Sequence, residues 1–428
     1  MSGLPELSVE DVPRESLAVV GLISGSQFVN HMYLVLLPPI LSILATDFRV
    51  SLATLGIALG VQGVTNTAFQ LPFGYLADNY DRTIALALSS FVGSAGALLI
   101  AASPSFEWLV VGQALLGVGV AGHHPTHYPL LSDATPERHR GRAFSVYGFG
   151  GNLGFAAPPV LITAVVSLSG LTWRHAVGLI GGFGLVYGVV VVWYFARRVS
   201  DDVTAPNVER AAPATSPPIR ERVRSELRTL ASSPAILALA FLSLVTSTAN
   251  WGFTSYAVVF LTSGYGVALD TANLTLTGVF VVSAAAILLG GDLADRIAPG
   301  PVMIGSYAAL VVLFGVVAAQ VVPAAVAIGA MLCIGAARSL SGPARSKLTD
   351  DYSPSDSVGK SFAVITVGIM LGSAIAPPLF GYLIETRGNS TAFFAVAAVA
   401  LLALVVTVAI VSAFGDGPGE TPGVVREG

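Results

Sequence analysis

The sequence predicts an all-α membrane protein of twelve transmembrane helices, arranged as two parallel-repeat six-helix bundles. Three observations predict it: a charge content too low for a water-covered surface, twelve apolar stretches of spanning length, and a repeat that lays one half of the chain over the other. Of 428 residues, 54% are hydrophobic and 11% charged. An ordinary soluble domain carries about 25% charge. A chain this poor in charge has lipid as its solvent. The net charge of -4 gives no sign of a nucleic-acid partner. The one cysteine, Cys333, has no partner for an intrachain disulfide. The polar first fourteen residues do not read as a cleavable signal peptide.

The apolar stretches run over 16–44, 52–77, 83–103, 107–131, 142–167, 174–196, 234–263, 268–290, 301–319, 323–348, 358–384 and 391–414. About 20 helical residues cross the hydrocarbon, and an open sheet cannot stand in lipid. Residues 197–233 form the one long polar interruption. Its "APATSPP" reads as a flexible linker, and "IRERVRSELRTL" as a basic amphipathic helix on the membrane surface. The expected organisation is a tail over 1–15, a bundle over 16–196, the linker over 197–233, a second bundle over 234–414 and a tail over 415–428.

Positive residues orient the spans. With the N-terminus inside, fifteen Arg and Lys fall in inner loops and only Arg49, Arg174 and Arg387 in outer ones. Both tails are then cytoplasmic, in the cell membrane. "GYLADNYDR" from Gly74 matches "GDLADRIAP" from Gly291 at an offset of 217. Gly117, Pro125, Asp133, Gly150, Gly154 and Pro159 match Gly335, Pro343, Asp351, Gly368, Gly372 and Pro377 at 218. Six spans per half make both copies enter from the same side, a parallel repeat.

G-x-L-A-D on the second span followed by a basic loop resembles the signature of the major facilitator superfamily, with a weaker second copy at "GDLADRIAP". "FVNHMYLVLLPPI", "HPTHYPLLSD" and "GFGGNLGFAAPP" resemble its fosmidomycin-resistance branch. In that branch an acid follows the Asn of the first span and another follows the His-Pro pair of the fourth. Here those positions hold His31 and Thr126. The resemblance implies a cavity lined by the first, fourth, seventh and tenth spans. It also implies a cytoplasmic gate: Asp78 beside the start of the eleventh span at Lys360, and Asp295 beside the start of the fifth at Arg142, with Arg82 in the loop after Asp78. Interface solvation is the simpler alternative for the two acids, and the gate clasp is the better reading. An acid near a helix N-terminus gains roughly 0.3–1 kcal/mol.

"GVGVAG" at 117–122 fits a nucleotide-loop pattern but lies inside a span, without the strand that such a loop needs. Its glycines, and those of "GFGGNLG" at 148–154, read as sites of close helix approach. Arg338 lies about fifteen residues from Pro323, roughly 22 Å down a helix. An Arg near the hydrocarbon centre costs at least about 2.5–3.5 kcal/mol. No Asp or Glu sits at similar depth in the twelve spans, so either the side chain snorkels or an anionic solute completes it. Arg345 and Lys347, nearer the cytoplasm, read as interfacial. Asn250 and Trp251 lie mid-span, facing solute or bonding a neighbouring helix.

Three of the six histidines fall in "AGHHPTHYP". His123 and His127 share a helix face, a spacing that suits a metal, but a zinc hydrolase would carry Glu where His124 stands. Two readings remain: a satisfied polar lining for a kinked helix, and protonatable groups in the cavity. On the second reading Asn30, His31, His124 and His127 join Asn250, Trp251 and Arg338. The expected function is a secondary transporter without cofactor or metal, not an enzyme. It would move a small anionic or amphiphilic solute by alternating access as a monomer, with protons as coupling ion. Efflux follows the resemblance, and anion–proton uptake is the alternative. A transporter-like sensor is the rival from another class, and the short tails offer it no output domain.

Overall fold

The computed structural model describes residues 13–205, 233–353 and 358–414. Among these, twelve helical segments are long and apolar enough to cross a membrane, and there is no strand. They are α1 (Arg14–Leu34), α2 (Leu52–Asn79), α3 (Arg82–Ala102), α4 (Phe106–Ala121 and His123–Ala134) and α5 (Arg140–Val166). Then come α6 (Trp173–Arg198), α7 (Pro234–Tyr265), α8 (Leu269–Arg296), α9 (Pro299–Ala319), α10 (Ala324–Asp351), α11 (Val358–Arg387) and α12 (Asn389–Phe414). After α1 the chain turns at Pro38–Ile40 and continues as a short helix, Leu41–Phe48. The linker sequences "APATSPP" and "IRERVRSELRTL" lie outside the described residues.

Local chemistry sets the helix ends. The Asp81 carboxylate accepts from the backbone N–H of Thr83 at 2.5 Å and of Ile84 at 3.3 Å, capping α3. Gly266, at φ 65°, closes α7 in the left-handed conformation. The break in α4 falls at Gly122, one residue past Ala121. Pro125 has no N–H to offer the Ala121 carbonyl, and its ring crowds that oxygen. The kink expected from the proline thus appears as an interruption one turn before it.

The chain divides into two compact units: Met1–Ile40 with Val61–Ala214, and Leu41–Gly60 with Thr215–Gly428. The expected halves differ from these at 41–60, which group with the C-terminal unit. There Gly56 and Gly60 lie against the α11 backbone at Pro377 and Ala374. Each unit repeats one packing pattern. In the N-terminal unit α1 packs on α5, and α3 on α4 and α6; in the C-terminal unit α7 packs on α11, and α9 on α10 and α12.

Matched glycines make the matched contacts. A methyl at Gly150 would sit 2.6 Å from the Ser24 carbonyl oxygen of α1. One at Gly372, the repeat counterpart of Gly154, would sit 2.6 Å from the Leu244 carbonyl oxygen of α7. Gly154 meets the Phe28 carbonyl and Gly368 the Ala240 carbonyl in the same way. In lipid, apolar surface does not drive helices together, so close backbone approach at small residues does.

Candidate functional site

In the C-terminal unit the deep arginine is held by neutral groups. Arg338 Nη1 donates to Asn250 Oδ1 at 2.6 Å and to Thr254 Oγ1 at 3.2 Å, both on α7. Its Nε donates to Ser283 Oγ of α8 at 3.3 Å. The guanidinium carbon lies 5.1 Å from the centre of the Phe280 ring, a cation–π contact. Ser283 in turn donates to the Gly335 carbonyl at 2.8 Å, which fixes its oxygen toward Arg338. Arg338 Nη2 makes no hydrogen bond among the described residues, and the side chain lines a cavity of about 140 Å3. That cavity also takes Asn250, Trp251, Tyr307, Ser341 and Arg345 into its wall, with no Asp or Glu among its described lining residues.

The N-terminal unit gathers the histidines around a tyrosine. His123 Nδ1 lies 2.7 Å from Ser89 Oγ and 3.2 Å from the Gly119 carbonyl. Ser89 spends its one proton on that carbonyl at 2.6 Å. It must therefore accept from His123, which fixes Nδ1–H on this ring. His124 Nδ1 and His127 Nδ1 both reach the Tyr147 hydroxyl, at 3.2 and 3.4 Å. One hydroxyl donates to one ring and accepts from the other. His127 Nε2 is buried without a partner among the described residues. A bare lone pair there costs less than a bare N–H, so His127 Nδ1–H donates to Tyr147, and Tyr147 O–H donates to His124. The chain of bonds runs from His127 through Tyr147 to His124, which is only part-buried.

His31 stacks on Phe155, with ring centres 4.0 Å apart, and its Nε2 lies 2.7 Å from the Gln27 amide nitrogen. His31, His123 and His127 are close enough to one another and to His124 for a charge on one to be felt by the rest. Among the described residues no three His, Cys, Asp or Glu side chains form a metal-holding group.

The expected site residues are thus placed as follows. His31, His124 and His127 share one cluster in the N-terminal unit. Asn250, Trp251 and Arg338 share one cavity in the C-terminal unit. Asn30 is 1% exposed and donates to the Val120 carbonyl at 3.4 Å, so it joins α1 to α4. Arg82, expected at the gate, is 5% exposed. Its Nη1 donates to Asp133 Oδ2 and to the Val203 carbonyl, both at 2.7 Å, within its own unit. That bond ties the start of α3 to the end of α4 and to the chain after α6. Asp78 and Arg142 are exposed near the end of α2 and the start of α5. The side chains of Asp295 and Lys360 lie outside the described residues.

Arg345, which its sequence position placed at the interface, lines the same cavity as Arg338 and donates to Thr246 Oγ1 at 3.0 Å. The signal was present, since seven residues are two helical turns on one face. Thr254 is likewise one turn from Asn250. Tyr147, Ser89, Ser283 and Tyr307 carried no such signal.

The family model for the Major Facilitator Superfamily matches residues 23–267 and 239–424. The fosmidomycin resistance protein of Escherichia coli strain K12 is 23% identical over 299 residues, 68% of this chain and 69% of that protein. The nitrite extrusion protein of Bacillus subtilis strain 168 is 22% identical over 305 residues, 69% of this chain and 68% of that one. A bacterial homolog of the human lysosomal transporter Spinster, solved in an inward-facing and occupied conformation, superposes with a TM-score of 0.77 at 16% identity. It covers 96% of this chain and 100% of its own. That likeness is one of fold.

Proposed function

The chain belongs to the major facilitator superfamily and is a multi-pass membrane transporter rather than an enzyme; we propose that it moves a small anionic or amphiphilic solute across the cell membrane by alternating access, coupled to protons. It works as a monomer with both termini cytoplasmic, the side on which most of the loop cations fall. The observation that carries this reading is Arg338. A guanidinium among neutral partners, with Nη2 left to a cavity, lacks the negative charge that a carboxylate, phosphate or phosphonate would bring. The relatives named for fosmidomycin resistance and nitrite extrusion favour export.

The proton site in this reading is His124, reached through Tyr147 and helped by His31. Imidazole is the side chain whose ordinary titration lies near neutral pH. A bound anion favours a bound proton, and linkage makes the effect reciprocal: each raises the affinity of the other by the same factor. That sign favours anion–proton symport, which keeps uptake as the second reading.

Calorimetry of small carboxylates and phosphate on the purified protein tests this. Anion affinity of the parent should rise as pH falls from about 8 to 5, the range in which histidine usually titrates. His124→Ala should flatten that profile. Tyr147→Phe, which removes the shared hydroxyl and keeps the ring, should flatten it partly. Unaltered profiles in both variants would return the cluster to a polar lining of the α4 break.

A further inference from the structure

The cavity beside Arg338 has a second cationic end. Arg345 follows on the same face of α10, a rise of about 10.5 Å further along, and both arginines line the cavity. Arg345 Nη1 is engaged by Thr246, while its other nitrogens make no hydrogen bond among the described residues. Ser341, on the wall midway between the two arginines, is bonded back to the Arg338 carbonyl at 3.0 Å. Tyr307 reaches the same cavity from α9 and lies near Arg345. It is 2% exposed, yet among the described residues its hydroxyl completes no hydrogen bond of normal geometry, although Ser341 lies near it. A buried hydroxyl without a well-placed partner is uncommon in a native protein and calls for one. All the elements involved, α7, α9, α10, α11 and α12, belong to the C-terminal unit.

These features set the charge, size and shape of an occupant. Two cations in a wall without a described carboxylate repel each other, and a single acid group neutralises only one. A charge-assisted N–O contact takes up about 2.8 Å at each end. Taken off the backbone rise, two such contacts leave a gap on the order of 5 Å, roughly the span of a chain of three or four carbons. A volume of about 140 Å3 suits that size, since a cavity of roughly 150 Å3 admits benzene.

Building on the reading of Arg338 as an anion contact, we infer that the cavity is a binding site for a short dianion with an acid group at each end. One acid group sits on Arg338, the other on Arg345, and the Tyr307 hydroxyl donates to the second. The site discriminates by charge at its Arg345 end, and monoanions of the same length bind through Arg338 alone.

Succinate and butyrate test this, being alike in length and different by one acid group. Trp251 lines the cavity, so its fluorescence reports occupancy in the purified full-length chain, with Trp251→Phe identifying the signal. Succinate should bind the parent about tenfold or more tighter than butyrate, the margin expected for one added charge-assisted pair. Arg345→Gln should bring succinate down to the butyrate level and leave butyrate nearly unchanged. Arg345→Lys should keep most of the preference, and Tyr307→Phe should reduce it a few-fold. Should Arg345→Gln fail to fold, Ser341→Leu tests the same point by filling the space between the cations, and succinate binding should vanish.

Equal affinities in the parent, or a preference that survives Arg345→Gln, overturn the dianion site. If those equal affinities both vanish in Arg338→Gln, the anion contact at Arg338 stands alone. An affinity for either anion that Arg338→Gln leaves unchanged overturns both readings, and a parent that binds neither overturns the dianion site.

Discussion

Arg338→Gln should weaken anion binding by about thirty-fold to a few thousand-fold, while the variant melts no lower than the parent. Truncating one partner of a buried, hydrogen-bonded charge pair costs about 2–5 kcal/mol in affinity, and each 1.4 kcal/mol is tenfold. The stability half of the expectation separates a solute contact from a structural strut. Without solute, a guanidinium at this depth costs about 2.5–3.5 kcal/mol. Its described partners, Asn250, Thr254, Ser283 and the Phe280 ring, are all neutral. Glutamine keeps a donor for Asn250 and removes the charge. A strut would show the opposite pattern, with a lower melting temperature and little change in affinity. Calorimetry and a thermal melt on the same preparation decide between them.

Gly372→Ala and Gly150→Ala should each lower the melting temperature by about 5–10 °C or prevent accumulation of folded protein. The added methyl would stand 2.6 Å from a carbonyl oxygen of the neighbouring helix in either case. Backbone cannot swing aside as a flexible side chain does, so α7 and α11, or α1 and α5, must separate. Overpacking of this kind costs typically 1–3 kcal/mol, and a domain of this size loses roughly 2–4 °C per kcal/mol. Gly148→Ala is the control. It lies on α5 two residues from Gly150 with nothing within 4 Å of its added methyl, so it should be neutral or slightly stabilising through helix propensity. If Gly148→Ala and Gly150→Ala melt alike, close approach does not hold these helices together.

The spans and the repeat were legible because both are one-dimensional signals. A run of about 20 apolar residues needs no partner to be recognised, and the offset of 218 carried over into matched glycine–carbonyl contacts. Arg338 was legible as a charge where charge is expensive. Arg345 reads as interfacial from its distance to the helix end, while its register with Arg338 is the signal for the cavity wall that it lines. Tyr147 and Tyr307 were out of reach for a different reason. Spans such as α9 and α12 are apolar nearly all round, so periodicity does not say which face turns inward. Whether a tyrosine meets a histidine of the preceding helix depends on that rotation. Pro125 predicts a bend in α4, but its place at Gly122 depends on which carbonyl the proline ring displaces.

The central claim is that this chain carries anions in a proton-coupled cycle, and flux in proteoliposomes tests it most directly. Labelled succinate, benzoate and phosphate would be followed into vesicles holding the purified protein, with and without an imposed pH gradient. The account predicts that at least one anion accumulates above empty vesicles, that the gradient drives it, that a protonophore abolishes the drive, and that Arg338→Gln removes the flux. Flux unchanged by Arg338→Gln, or indifferent to the gradient, would contradict it.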